Sequence, residues 1–261
     1  MNILDKIIQD KRVEVEAKKS LIPIEFYKHS PLFERETYSL ADSIRTGSGI
    51  ISEFKRKSPS KQIINDQNGV VEVVKGYEMA GASGISVLTD TKYFGGALDD
   101  LIQVRNSVDI PVLRKEFIID PYQIYEARAF GADAILLIAA VLNSSEIKDL
   151  SALAKSLSLD VLLEVHNEEE LKKSPLGCVD LVGVNNRNLK TFDVSIEISK
   201  SLSELIPKEK VKVSESGISN VSTILELKRC GFQGFLIGEN FMKTTDPGLA
   251  AIDFIQDLYH G

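Results

Sequence analysis

From Ile50 to the end of the chain, short apolar runs alternate with helically spaced patterns, without a break. The strand-like runs begin near Ile50, Gly84, Ile110, Ala134, Asp160, Leu181, Val211 and Gly234. Helical patterns lie between and after them, over 70–80, 98–107, 122–130, 145–157, 168–173, 195–205, 220–229 and 248–259. Eight strands each followed by a helix imply a parallel sheet. The runs Ala134-Ile135-Leu136-Leu137-Ile138 and Val161-Leu162-Leu163 do not alternate with polar residues, so these strands are expected to be buried on both faces.

An internal echo supports the count. Gly81-Ala82-Ser83-Gly84-Ile85 is matched by Gly131-Ala132-Asp133-Ala134-Ile135, Gly177-Cys178-Val179-Asp180-Leu181 and Gly231-Phe232-Gln233-Gly234-Phe235. Each leading glycine falls where a helix would end in a left-handed cap before the next strand. The echo returns with every second strand–helix unit, as in a closed ring built on pairs of units. Eight units in roughly 210 residues fit a (β/α)8 barrel better than a doubly wound sheet. Ahead of them, residues 2 to 19 carry Ile3, Leu4, Ile7 and Ile8 at the spacing of an amphipathic helix. Residues 20 to 47 read as irregular, with one short helix near Ser39 to Arg45. The chain is thus expected to be a single barrel domain, 1–261, with 1–47 as an N-terminal helical extension packed onto it.

Composition narrows the function. The 261 residues are 43% hydrophobic and 26% charged, an ordinary globular balance, and the net charge is -7. Nucleic acid is therefore not the expected partner, since that calls for a basic footprint. No stretch approaches the ~18 consecutive apolar residues of a membrane span, and no signal segment is read at the N-terminus. Cys178 and Cys230 form no paired motif, which fits a reducing compartment. No His, Asp or Glu set has metal-ligand spacing, and a Gly-x-Gly-x-x-Gly is absent at the first strand.

In a barrel of this kind the site lies at the C-terminal ends of the strands. The first strand ends in Glu53 and Lys55, the third in Arg114-Lys115-Glu116, the fifth in Glu164 and His166, and the seventh in Ser214-Glu215-Ser216-Gly217. The sixth ends in Asn185-Asn186-Arg187 and the eighth in Gly238-Glu239-Asn240. Taken singly, each charge is explained as well by a solvated loop ion pair. Together they make a mixed acid–base cluster, where pKa values are pulled from their solution positions. Ser216-Gly217 and Gly238-Glu239 follow the last two strands, the usual phosphate site of barrels, where glycine lets backbone N–H groups approach an anion. His166 is either a base or a loop residue; a lone histidine just after a strand is read here as the second.

These residues resemble the indole-3-glycerol phosphate synthase family of tryptophan biosynthesis. The resemblance rests on residues 53–60, 86–90 with 93–96, 111–118, 163–166, 183–189, 214–218 and 236–239, in order along the barrel. It implies ring closure of 1-(2-carboxyphenylamino)-1-deoxyribulose 5-phosphate with loss of carbon dioxide and water. Lys115 would be the general acid and Glu164 the second acid–base group. Lys55 would hold the substrate carboxylate, and Glu53 would orient the lysines. Asn185, Arg187 and Glu215 would complete the polar wall. Ser58, Ser216, Gly217, Gly238 and Glu239 would hold the phosphate, and Phe94 and Leu136 would sandwich the aromatic ring. The resemblance further implies that no cofactor is needed; a cytoplasmic setting and a monomer are expected, with association with other pathway enzymes left open. A phosphoribosyl-anthranilate isomerase, the nearest rival, would use a Cys and an Asp at strand ends. A barrel that only binds phosphorylated ligands would not need so complete an acid–base set.

Overall fold

The computed structural model describes residues 3–59, 61–188 and 192–260. Ser60 and Leu189, both within the family-like stretches, lie outside the described residues. Among these, eight parallel strands close into a barrel in sequence order: β1 (Ile50–Phe54), β2 (Gly84–Leu88), β3 (Val112–Lys115), β4 (Ala134–Ile138), β5 (Asp160–Val165), β6 (Leu181–Asn185), β7 (Val211–Glu215) and β8 (Gly234–Ile237). The ring is sealed where Ile50, Ile51 and Ser52 pair with Phe235, Leu236 and Ile237.

The helices on the chain before β1 are α1 (Ile3–Leu21), α2 (Ile24–Lys28) and α3 (Leu40–Thr46). The connections carry α4 (Val70–Met79), α5 (Thr91–Phe94), α6 (Leu98–Arg105), α7 (Pro121–Ala129), α8 (Ser144–Ser156), α9 (Glu168–Lys173), α10 (Glu197–Ser203) and α11 (Val221–Arg229). After β8 come α12 (Glu239–Met242) and α13 (Pro247–His260). The seam is closed outside as well, where α13 packs on α4. A β-carbon on Gly76 would lie 2.6 Å from the Gly248 Cα, so the two helices meet backbone to backbone.

Strand periodicity sorts the buried residues into two cores. Ile85, Val87, Ile135, Leu137, Val161 and Leu163 face outward and pack under the helices. Ile51, Leu113, Leu136, Leu162, Leu181, Val213 and Leu236 face inward. Leu40, Ala41 and Ile44 of α3 join this inner cluster. The segment before β1 is therefore not one appendage: α3 plugs the barrel interior, while α1 lies elsewhere, over the mouth.

Gly81, Gly131 and Gly231 adopt the left-handed conformation expected of them, with φ of +84°, +91° and +87°. Gly177 does not. Ser174 precedes Pro175 and is forced to extended backbone (φ -89°, ψ 122°), so α9 has already stopped and nothing is left for Gly177 to cap. Helix α2 was not expected, because five residues carry too few internal hydrogen bonds to signal a helix. It is held by tertiary contacts instead: the Tyr27 ring stands edge-on to Tyr122 at 5.2 Å, and its hydroxyl donates to Glu126 at 3.0 Å.

Candidate active site

The upper end of the barrel interior departs from the rule that fills it elsewhere. In the odd-numbered strands the inward residues Ile51, Leu113, Leu162 and Val213 are followed two positions later by Glu53, Lys115, Glu164 and Glu215. A layer of four inward side chains drawn from alternate strands is how such barrels are packed. Here the top layer is one ammonium among three carboxylates. Lys115 Nζ lies 2.5 Å from Glu215 Oε2, 3.7 Å from Glu164 Oε2 and 4.0 Å from Glu53 Oε2. Lys55, just past β1, places its Nζ 2.7 Å from Glu53 Oε1.

Burial alone would depress the Lys115 ammonium. The charges of Glu215, Glu164 and Glu53 outweigh it and hold the pKa above the ordinary lysine value. Burial would likewise raise Glu53, but Lys55 and Lys115 pull its carboxyl below the usual range. Glu215 goes the other way. Burial pushes it up to about 7 against the pull of Lys115, with repulsion from Glu164 and Glu53 added. The cluster thus holds a firmly charged ammonium next to a carboxyl poised near neutrality, and it is the carboxyl whose pKa is matched to proton transfer.

Two glycines make room for it. A β-carbon on Gly183 would lie 2.2 Å from Glu215 Oε1, and one on Gly238 would lie 2.7 Å from Glu53 Oε1. The tight packing at Gly183 was not legible in the sequence, because it depends on the β6–β7 register that sets Gly183 beside Val213 and Asn185 beside Glu215. Gly238, expected only to let backbone approach an anion, also seats Glu53.

All fourteen residues expected at the site line one cavity of about 400 Å³. On one side, Phe94 stands 5.9 Å from Phe117 by ring centroid, and Leu136 and Ile138 add to the same apolar lining. On the other side are the turns after β7 and β8. Ser216 and Gly217 have φ of +69° and +78°. The amide oxygen of Asn185 accepts from Ser216 Oγ at 2.9 Å and from the Arg187 N–H at 3.0 Å, which leaves its NH2 group for the cavity. Glu239 is tied to Lys61 at 2.6 Å, so its carboxylate is already engaged and its backbone is the part left for a ligand. Ser58 lies beside this bridge and pairs with Lys61.

Helix α1 supplies lining that was read only as an amphipathic face: Ile3, Leu4 and Ile7 border the cavity. It is latched by Lys11, whose Nζ is 3.0 Å from Asp90, 3.1 Å from Glu116 and 2.8 Å from Glu14, with the lysine side chain only 2% exposed. Asp10 adds Lys92 at 2.7 Å and accepts from the Tyr93 hydroxyl. His166 follows β5 as expected, yet it is no solvated loop group. Its ring is packed between Glu164 and Glu170.

A closed (β/α)8 barrel with an acid–base layer at its mouth, an apolar shelf and glycine turns after the last two strands defines the class: a barrel enzyme working by proton transfer. The sequence profile of the indole-3-glycerol phosphate synthase family matches residues 4–254. The indole-3-glycerol phosphate synthase of Bacteroides thetaiotaomicron is 46% identical over 98% of this chain and 99% of its own. That of Albidiferax ferrireducens is 42% identical over 95% and 96%. Among solved structures, an N-acetylmannosamine-6-phosphate 2-epimerase from Clostridium perfringens aligns with a TM-score of 0.61 over 86% of this chain and 99% of its own, at 14% identity, a likeness of fold. The chain belongs to the indole-3-glycerol phosphate synthase family, carboxy-lyases of tryptophan biosynthesis.

Proposed function

We propose that the chain converts 1-(2-carboxyphenylamino)-1-deoxyribulose 5-phosphate to indole-3-glycerol phosphate, carbon dioxide and water. The observation that carries this reading is Lys115, an ammonium held inside a ring of three carboxylates and beside an apolar shelf. The ring carbon that bears the carboxylate attacks the ketone, and Lys115 gives the ketone oxygen its proton. The bond to the carboxylate then breaks and its electron pair restores the aromatic ring. Last, the new hydroxyl leaves as water and Glu164 removes the proton that completes the indole. Lys55 holds the substrate carboxylate until it leaves, Glu53 orients the two lysines, and Phe94 and Leu136 flank the ring. Asn185, Arg187 and Glu215 bind along the sugar chain. Proton transfer and positioning suffice, so no cofactor is assigned. We place the reaction in the cytoplasm, on the family's biosynthetic role. Adding the substrate to the protein and following indole fluorescence tests the reading; a silent trace with intact substrate would refute it.

The phosphate is assigned to Ser58, Ser216, Gly217, Gly238 and Glu239. A β-carbon on Gly217 would lie 2.3 Å from Val194 Cγ1 on a left-handed backbone. Gly217→Val is therefore expected to raise KM, with inorganic phosphate competing against substrate in the parent protein. A KM indifferent to high phosphate would contradict the assignment.

Helix α1 is assigned the role of a cover over this one barrel domain. Deleting residues 1–47 would also remove the α3 plug, so the cleaner test is Lys11→Met. That change leaves Asp90 and Glu116 buried without their ammonium, a loss of about 3 kcal/mol for a broken buried pair. The expected outcome is a lower denaturation midpoint together with a raised KM. An unchanged KM in the folded variant would make the latch purely structural.

A further inference from the structure

The proposed reaction has a proton balance that the groups assigned to it do not close. The substrate carboxylate is ionised near neutrality, as aromatic and aliphatic carboxylic acids are. It leaves as carbon dioxide, while the ketone oxygen leaves as water after gaining two protons. Only one proton is recovered, from the carbon that completes the indole. One proton must therefore enter the site from solvent in every turnover.

His166 lies where such a proton can enter. It sits two residues after Glu164, past the end of β5. Its Nε2 is 3.3 Å from Glu164 Oε1, the oxygen turned away from Lys115, and is buried without an aligned hydrogen-bond partner. Its Nδ1 is 3.1 Å from Glu170 Oε2. The same Glu170 oxygen accepts the His166 backbone N–H at 2.8 Å, and the other oxygen accepts from Asn167 at 2.8 Å. The carboxylate that steadies the ring is thus itself fixed at three points. A second cavity, which shares only Leu4 and Arg187 with the catalytic one, is lined by His166, Asn167, Glu170, Lys173 and Asp5 of α1. Ring nitrogen to catalytic carboxylate on one side, and ring nitrogen to a solvent-lined carboxylate on the other, is the geometry of a relay.

Resting on the proposed reaction, we infer that His166 is a positioning residue that holds Glu164 in line and passes it the proton taken up from the second cavity. Imidazolium gives its Nε2 proton to Glu164, which hands it to the leaving hydroxyl before taking the proton from carbon. That second proton returns to Lys115, 3.7 Å away. The ring keeps its Nδ1–H on Glu170 and regains a proton at Nε2 from the second cavity. One N–H bond breaks and one forms, and no other reactant is needed. The groups facing the ring agree on its charge. Burial opposes the imidazolium, but the hydrogen bond that its Nδ1–H donates to Glu170 and the charges of Glu164, Glu170 and Glu215 hold its pKa above the ordinary histidine value. The protonated donor is present below that raised pKa and lost as pH rises through it, so His166 should contribute an alkaline limb to kcat.

The test compares the parent protein with His166→Ala and Glu170→Gln. The parent must turn over, which checks the reaction itself independently. His166→Ala should lower kcat by about 10²-fold, the lower end for a positioned proton-transfer group, with KM near the parent value. Imidazole added to the buffer should restore part of the loss. Glu170→Gln keeps the ring and the backbone hydrogen bond but removes the charge, so its alkaline limb should move to lower pH. It also serves should the alanine variant fail to fold. A parent-like rate and profile in either folded variant would overturn the relay. So would a loss that is uniform across pH and indifferent to imidazole, the mark of a merely structural ring.

Discussion

Lys115→Met is expected to lower kcat by about 10²- to 10⁴-fold while the protein stays folded, the range a general acid contributes. The methionine fills a similar volume but neither attracts the ketone oxygen nor gives it a proton. Fold is expected to survive because the three carboxylates around Lys115 can relax by protonation, and Glu215 is already raised to about 7. Lys115→Arg separates charge from proton donation. Its guanidinium attracts but scarcely donates, so it should be nearly as slow. Binding should change less than turnover in both, because phosphate and ring are assigned to other groups, and the loss falls on the transition state. The measurements are kcat and substrate affinity, with circular dichroism to confirm folding. Near-normal turnover by the methionine variant would remove Lys115 from the chemistry and leave Lys55 as the better acid.

A single added methyl group should be almost as damaging at Gly183. The β-carbon of Gly183→Ala would lie 2.2 Å from Glu215 Oε1 and 3.1 Å from Leu162 Cδ1. The Glu215 carboxylate is the free end of a flexible side chain, so it gives way at little cost to stability. It cannot give way without leaving Lys115, to which it is the nearest carboxylate at 2.5 Å. The expected result is a normal denaturation midpoint with kcat down about 10²-fold, the scale of loss for a misplacement near 1 Å. Glu215→Gln should show a comparable drop, and the double variant should lose little more, since both act through one contact. A fast Gly183→Ala protein would mean that the position of Glu215 is unimportant to the chemistry.

Much of this is legible in the sequence. The barrel followed from the period of the pattern, and the charged strand ends marked the mouth because an inward Glu or Lys after an inward Ile or Leu is visible at a spacing of two. What stayed hidden depends on register and on packing between distant segments. Gly183 looks like any strand glycine until β7 is laid beside it. Lys11 looks like one more charge on an amphipathic helix until α1 is folded over the loops carrying Asp90 and Glu116. Helix α2 has no pattern of its own, and Gly177 misleads because Ser174-Pro175 had already ended the helix. His166 was read as a loop residue on base frequency, when the informative feature was Glu170 four positions later on α9.

The most direct measurement uses substrate labelled in the ring carboxylate and follows carbon dioxide and the indole chromophore together. Equal amounts of both, appearing at the same rate and suppressed together in Lys115→Met, are the expected result. An isomerised sugar that keeps its carboxylate, or binding with no release of label, would contradict the assignment of this barrel as a decarboxylating cyclase.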